Sequence, residues 1–432
     1  MLARLLHRSA KIDPKEMPAV IAAFALIFCV MCGYFAVRSV RETASTILGN
    51  DRVTSLFWYT WIASLAIVPA YGWVVARFRR AKFLPVVYSL VALALALIGF
   101  ALQRDPKNTF VMEFFFVMIS VLNLFMISVF WGFLLEIFDK EQTKRLFGAI
   151  AAGGSAGALL GPTLTALLAK QIGNHGVLYM GAALFVLAVV CQRILLRVWH
   201  AAPATHAVAV GHDQPVGGNP LVDGVRLLFT SPYLLGIGVF VILLASINTF
   251  LYFEQLRIVH DTFASPAQRT QVFGTIDAVV QGLTLGLQLF VTGRIASRLG
   301  VVALVTIIPI AMVFGYLALA LFSTFGMLVT VIIARRVGEY AFVRPGREML
   351  FSAVKNQDRY RVKHVIDVPV YRGGDVLSSQ LQNRLGSAGW SPSTILVFGA
   401  GIAALWALNG WWLGRRRELG PVAEQPAAQV GG

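Results

Sequence analysis

"PAVIAAFALIFCVMCGYFAVRSVRET", Pro18 to Thr43, opens with twenty residues that carry no charge and closes with two arginines and a glutamate. A helix crossing a ~30 Å hydrocarbon core needs about 20 mainly apolar residues, so 17–38 reads as a membrane span with charges at its end. More than two hundred residues later the ending recurs. "RIVHDT", Arg257 to Thr262, repeats the Arg-x-Val-basic-acidic-Thr pattern of "RSVRET", Arg38 to Thr43. The echo points to a duplicated architecture.

Runs like the first recur along nearly the whole chain of 432 residues, which is 57% hydrophobic and 13% charged, with a mean hydropathy of +0.71. That composition excludes an ordinary soluble domain and predicts an all-α polytopic membrane protein. About twelve spans are expected, near 17–38, 54–77, 82–103, 109–138, 146–169, 176–197, 232–256, 271–293, 301–323, 326–350, 365–385 and 393–414.

The formal net charge of +16 raises nucleic acid as a partner, but the positions of the basic residues argue otherwise. With the N-terminus inside, the cytoplasmic segments hold Arg4, Arg8, Lys11 and Lys15, then Arg77, Arg79, Arg80 and Lys82, then Lys140, Lys144 and Arg145, and at the end Arg415, Arg416 and Arg417. This is the positive-inside asymmetry, and it sets orientation in a bilayer. No nucleic-acid partner is implied. The basic start "MLARLLHRSAKIDPKE" is expected to remain in place as a cytoplasmic segment, since it runs into a span too long for a signal peptide. Cys29, Cys32 and Cys191 all fall in expected spans, where packing is their expected role.

The segment "HAAPATHAVAVGHDQPVGGNP", His200 to Pro220, is rich in Pro, Gly and Ala and separates six spans from six. The expected organisation is a cytoplasmic segment 1–16, a six-helix bundle 17–199, a flexible cytoplasmic linker 200–231, a second bundle 232–414 and a tail 415–432. His200, His206 and His212 make a weak metal tract within a solvated linker, and no metal or cofactor is expected. Two further matches share the offset of the opening echo. "GWVVARFRR" from Gly72 pairs with "GRIASRLG" from Gly293, and "AAGGS" ending at Ser155 with "YRGGD" ending at Asp375, at separations of 219 to 221 residues. Two pseudosymmetric six-helix bundles that start on the same face resemble the plan of the major facilitator superfamily, which places its substrate site near the midplane.

Charges at membrane depth are costly, about 2.5–3.5 kcal/mol on insertion scales, and so mark candidate sites. In the eleventh span Asp367, Tyr371, Asp375, Ser378 and Gln382 follow at spacings of four, four, three and four, which predicts one polar helical face lining a cavity. Arg372 lies three residues before Asp375 and is expected to pair with it; Pro369 and the Gly373–Gly374 pair predict a bend. A buried ion network that only fixes helix positions is the alternative. The tenth span offers Arg335 and Arg336 with Glu339 a turn later, then Arg344 four residues before Glu348, with a break at Pro345–Gly346. Arg335, Arg336 and Arg344 are candidate anion contacts, because a guanidinium binds phosphate or carboxylate through paired donors. An inner-surface gate built from Arg344, Arg347 and Glu348 is the other reading. Glu254 precedes Arg257 by three residues, and Asp277 lies inside the eighth span; proton coupling or an ion pair suits Asp277, Glu339 and Asp367. Arg38 and Arg41 with Arg257 and His260 are expected at the outer ends of the first and seventh spans, as an anion funnel or as snorkelling anchors. Gly153, Gly157 and Gly161, four apart in the fifth span, predict a close-packing face.

Together these stretches resemble the ATP/ADP translocase family, nucleotide exchangers of plastids and intracellular bacteria that are distant relatives of the major facilitators. "VRSVRET" from Val37 looks like the R-D-T-K-D end of that family's first helix, and "FWGFLLEIFDKEQTKRLFG" from Phe130 is similar to its F-W-G-F…E-A-K-R-F segment. "YFEQLRIVHDTF" from Tyr252 aligns with V-E-x-x-W-K, and "YAFVRPGREMLFSAVKNQDRYRVKHVID" from Tyr340 with Y-S-x-F-D-P-x-K-E-M…D-E-E-S-K-x-K-x-K-A-A-I-D. The resemblance puts Arg41 at the position of that family's lysine and Glu254 on its acid. The chain departs where plastid-type members place an acid in the fourth helix, here Ile119 or Ser120, and a lysine in the eleventh, here Asp375.

The expected function is therefore secondary active transport of an anionic, phosphorylated or nucleotide-like metabolite by a monomer in a bacterial inner membrane, by exchange or proton coupling. No G-x-x-x-x-G-K-[ST] loop is present, so a nucleotide would be cargo and not fuel. Proton-driven export of amphipathic or cationic molecules, with the carboxylates of the eleventh span as contacts, is the alternative. A membrane-embedded enzyme is not expected, since His260 and His364 fall on opposite sides and no H-E-x-x-H occurs.

Overall fold

The computed structural model describes residue 13 and residues 16–77, 80–201, 220–354 and 356–418, and among these no strand occurs. Lipid offers the backbone no hydrogen-bonding partner, and a helix meets that condition by satisfying each backbone group within its own segment. The first six crossings are α1 (Met17–Leu48), α2 (Asn50–Arg77), α3 (Arg80–Arg104), α4 (Thr109–Ile137) and the pair α5 and α6, two helices within Lys140–Ala201 that meet at Gly173. Gly173 sits at φ 69°, outside the helical region, a conformation that a residue without Cβ adopts at little cost, and the helix breaks there. Gly300, at φ 72°, does the same between the eighth and ninth crossings.

The second half begins with α7 (Pro220–Thr230), a short helix where the sequence predicted loop. Gly224 lets it lie directly on the backbone at Arg361, whose carbonyl oxygen is 2.5 Å from where a Cβ would stand. The rest of the expected linker, 202–219, with His206 and His212, lies outside the described residues. Then come α8 (Pro232–Thr262), α9 (Pro266–Leu287) continued by a π-turn Gln288–Thr292, and α10 (Gly293–Leu321). The last crossings are α11 (Phe325–Gly338) and α12 (Arg344–Phe351) around a π-turn Glu339–Val343, α13 (Asn356–Val365) and α14 (Tyr371–Ser387) around a π-turn Ile366–Val370, and α15 (Pro392–Glu418). Nine described helices are long and apolar enough to cross a membrane. One of them, Glu141–Trp199, breaks at Gly173 and counts as two. The expected spans 326–350 and 365–385 fall on the interrupted helices α11–α12 and α13–α14.

Helices overrun their apolar cores. Helix α1 continues to Leu48 before Gly49 ends it, so Arg38 and Arg41 lie inside the helix and not at its end. Arg257 likewise precedes the end of α8, at Thr262. The charges interrupt hydropathy without interrupting the backbone, because each meets a partner.

The described residues divide into two compact units, one made by 1–214 with 259–282, the other by 215–258 with 283–432. In the first, Leu26, Val30, Leu95, Phe115, Phe130, Phe133 and Phe185 are fully buried around α1. Cys29, Cys32 and Cys191 are buried free thiols, matching the packing role. In the second, Trp406 packs on Phe240 with centroids 5.5 Å apart, and the Tyr316 hydroxyl donates to the Ile247 carbonyl at 2.6 Å. Large apolar side chains such as Phe110, Phe314 and Leu405 point outward, the surface a bilayer would cover.

Candidate functional site

In the first unit the polar residues of α1 form one chain of contacts. Glu42, only 7% exposed, receives Arg38 at 3.6 Å and lies in direct contact with the Arg41 guanidinium. Arg41 also donates to Ser120 Oγ on α4 at 3.1 Å and lies over the Phe116 ring, 5.3 Å from its centroid. One turn on, Thr43 meets Thr270 at 2.6 Å, and Arg269 donates to Thr46 at 3.0 Å. Arg269 is itself 6% exposed and also holds the carbonyls of Phe263 and His260 at 2.7 and 3.2 Å, closing the end of α8. Thr270 continues to Asn174 at 2.8 Å and Gln271 to the Ala166 carbonyl at 2.9 Å. The segment 259–282 is thus tied by side chains to α1, α5 and α6. His260, expected beside the arginines, faces Asp261 at 3.3 Å instead. Asp277, a buried acid, belongs to this same segment.

The second unit holds the larger cluster. Proline at 345 has no N–H, so the helix before it cannot keep its ordinary ladder, and the chain widens into the π-turn Glu339–Val343, with the Arg344 amide bonding back five residues to the Glu339 carbonyl. That extra residue brings side chains five apart onto one face. Glu339 therefore takes Arg344 at 3.2 Å and, one ordinary turn earlier, Arg335 at 3.0 Å. The expected Arg344–Glu348 pair does not form; Glu348 binds Lys363 at 2.6 Å. Pro345 opens α12 and does not end the helix. Arg344 keeps 55% of its side chain exposed and stacks over Tyr340 at 4.4 Å, whereas Arg335 is 13% exposed. Arg336, the third candidate anion contact, is buried.

Asn248 of α8 links this group to α14. Its amide nitrogen donates to the Tyr371 hydroxyl at 3.0 Å and approaches Glu339 at 3.5 Å, while its oxygen accepts from Arg335. One residue on, Thr249 donates to Asp375 at 3.3 Å, and Arg372 reaches the same carboxylate at 3.4 Å, the pairing expected from their spacing. Ser378 donates to Ser246 at 2.8 Å. The face of α14 that the sequence predicted as a cavity lining is thus covered, at these positions, by α8. The bend falls at the π-turn containing Pro369, and Gly373–Gly374 lies within regular helix, where Gly374 admits Ala245 Cβ to 3.0 Å of its own would-be Cβ. The π-turn also takes Asp367 off the face of Asp375; Asp367 pairs with Arg347 at 3.1 Å. Glu254 and Arg257 form their own pair at 3.0 Å, joined by Ser323 at 2.9 Å.

Asn248, Thr249, Glu42 and Arg269 are the residues sequence reasoning did not single out. The first two are neutral side chains in an apolar run and give no charge signal. Glu42 was visible as the acid beside two bases. Among the described residues no group of His, Cys, Asp and Glu is placed to hold a metal ion.

A family model described as Major Facilitator Superfamily matches residues 23–343. No curated protein sequence matches the chain. Among solved structures, the nucleoside transporter NupG superposes with a TM-score of 0.65 at 15% identity, covering 93% of this chain and 99% of its own. A bacterial homologue of the iron transporter ferroportin, inward-facing, gives 0.62 at 11% identity over 92% and 100%. A bacterial homologue of the lysosomal transporter Spinster, inward-facing and unoccupied, gives 0.54 at 14% over 94% and 98%. With the family model spanning most of the chain and the architecture all-helical and multi-pass, the chain belongs to the Major Facilitator Superfamily and is a membrane transporter, not an enzyme.

Proposed function

We propose that this transporter moves an anionic metabolite, phosphorylated or nucleotide-like, by alternating access through exchange or proton coupling. It works in this reading as a monomer in a bacterial inner membrane, with both termini in the cytoplasm. The observation that carries the proposal is the gathering of guanidiniums around buried acids in both units. In the first unit Arg38 and Arg41 meet at Glu42. In the second, Arg335 and Arg344 meet at Glu339 and Arg372 reaches Asp375, beside the Glu254–Arg257 pair. A guanidinium is suited to phosphate oxygens through its paired donors. Arg344, exposed yet anchored on Glu339, is the arginine open to an incoming anion. The resemblance of 340–367 to nucleotide exchangers agrees with this class, as does the nucleoside cargo of NupG, a likeness of fold only.

The test is counterflow in liposomes holding the purified protein, with radiolabelled AMP, ADP, ATP and inorganic phosphate, beside the Arg41→Ala and Arg344→Ala variants. Saturable uptake that falls at least about tenfold in both variants, each shown to be folded, is the expected result. Uptake of cationic dyes in place of every anion would overturn the proposal in favour of export.

A further inference from the structure

Resting on that reading, we propose that Asp375 is the proton-coupling residue and that its protonation releases Arg372 to bind the substrate anion, which makes the cycle a proton–anion symport. Among its described residues the second unit buries three carboxylates, and they are held very differently. Glu254 takes two contacts from Arg257, at 3.0 and 2.5 Å. Glu339 is gripped by two arginines through contacts of 3.0, 3.2 and 3.3 Å, with the Asn248 amide at 3.5 Å. Asp375, equally buried at 6% exposure, has one arginine at 3.4 Å and one threonine hydroxyl at 3.3 Å, both longer than well-formed charge-assisted bonds.

A buried carboxylate stays ionised when its partners replace the water it lost. Two guanidiniums do that for Glu339, and one distant guanidinium with a hydroxyl does it poorly for Asp375. The remaining surroundings of Asp375 do not make up the difference. From α8 the facing groups are Ser246, Asn248 and Thr249, all neutral. From the preceding crossing the nearest acid is Glu339 itself, already neutralised by Arg335 and Arg344. On its own helix stand Tyr371 and Arg372, and α15 carries no charged side chain before Arg415.

Binding of the two ligands then becomes reciprocal. A proton taken from water by Asp375 removes the negative charge facing Arg372, while the guanidinium keeps its own proton and gains an anion in exchange for the carboxylate. Whatever factor the proton contributes to anion affinity, the anion returns to proton affinity. Glu339 does not take this role, because protonating it would leave the largely buried Arg335, and Arg344 beside it, without their shared acid. Asp367 is held by Arg347, and Asp277 belongs to the other compact unit.

The experiment uses the same liposomes with and without a pH gradient. In the wild type, an inward proton gradient should drive accumulation of the transported anion above equilibrium. The Asp375→Asn variant should lose that accumulation, and its anion affinity should no longer change with pH, while Glu339→Gln should lose counterflow altogether. Accumulation that persists in Asp375→Asn overturns the proposal, and so does wild-type counterflow indifferent to the gradient, although the anion reading then still stands. Counterflow absent for every anion would instead bring down that reading. A readout independent of cargo is infrared difference titration of the protein in detergent. A protonated-carboxyl band that grows as pH falls, and is missing in Asp375→Asn, is expected; its persistence in that variant places the proton elsewhere and overturns the assignment.

Discussion

Two pairs of helices hold equivalent places in the duplicated halves and are joined by opposite means. Between α1 and α5, Gly153, Gly157 and Gly161 press against the backbone carbonyls of Phe24, Phe28 and Cys32, so closely that a Cβ placed at Gly153 would lie 2.6 Å from the Phe24 oxygen. Between α8 and α14, side chains carry the contact: Ser246 with Ser378, Asn248 with Tyr371, Thr249 with Asp375. In lipid no hydrophobic force draws helices together, so association depends on close packing or on hydrogen bonds. The first pair closes backbone on backbone, and its glycine face presents neither acid nor base. The second uses groups that can change partners. The first seam is a backbone weld, and the second a row of side-chain hydrogen bonds.

Four substitutions would break or sharpen that contrast. The largest effect is expected for Gly157→Leu, whose side chain has no room beside the Phe28 carbonyl; overpacking costs about 1–3 kcal/mol or more, and the purified variant should melt well below wild type or fail to yield monodisperse protein. Next comes Glu339→Gln, which leaves Arg335 and Arg344 without their shared acid; a loss of about 3 kcal/mol in thermal stability should accompany loss of transport. Arg269→Ala removes three hydrogen bonds inside the first unit, one buried and two partly buried, and should cost about 2 kcal/mol, with faster amide exchange confined to 259–282. Smallest is Ser378→Ala. Hydrogen bonds between membrane helices average about 0.6 kcal/mol, so stability should barely move, and a larger drop would mean the α8–α14 seam is also a weld.

The glycine face of α5 was fully legible in the sequence, because a four-residue spacing maps directly onto a helix surface. The pairing of Arg372 with Asp375 and of Arg335 with Glu339 was legible for the same reason. What spacing could not reveal was where the spacing itself changes. The π-turns Glu339–Val343 and Ile366–Val370 insert a residue ahead of or around a proline, and they re-pair Arg344 with Glu339 while turning Asp367 away from Asp375. The helix ends were also misplaced, since hydropathy falls at Arg38 while α1 continues to Leu48 on the strength of the Glu42 contacts. Neutral partners such as Asn248 and Ser120 emerge only from tertiary contact.

The hairpin tip 259–282, grouped with residues 1–214, has a consequence for how the protein is made. Six helices leave the ribosome first, yet the unit they build lacks the piece that Arg269, Thr270 and Gln271 fasten to it. Synthesis must proceed through the linker and two more crossings before that unit is whole. A nascent chain halted at the midpoint would therefore present α1, α5 and α6 with unfilled polar positions, a partly folded intermediate for the insertion machinery to shelter, and the two halves expressed as separate polypeptides would depend on each other to mature.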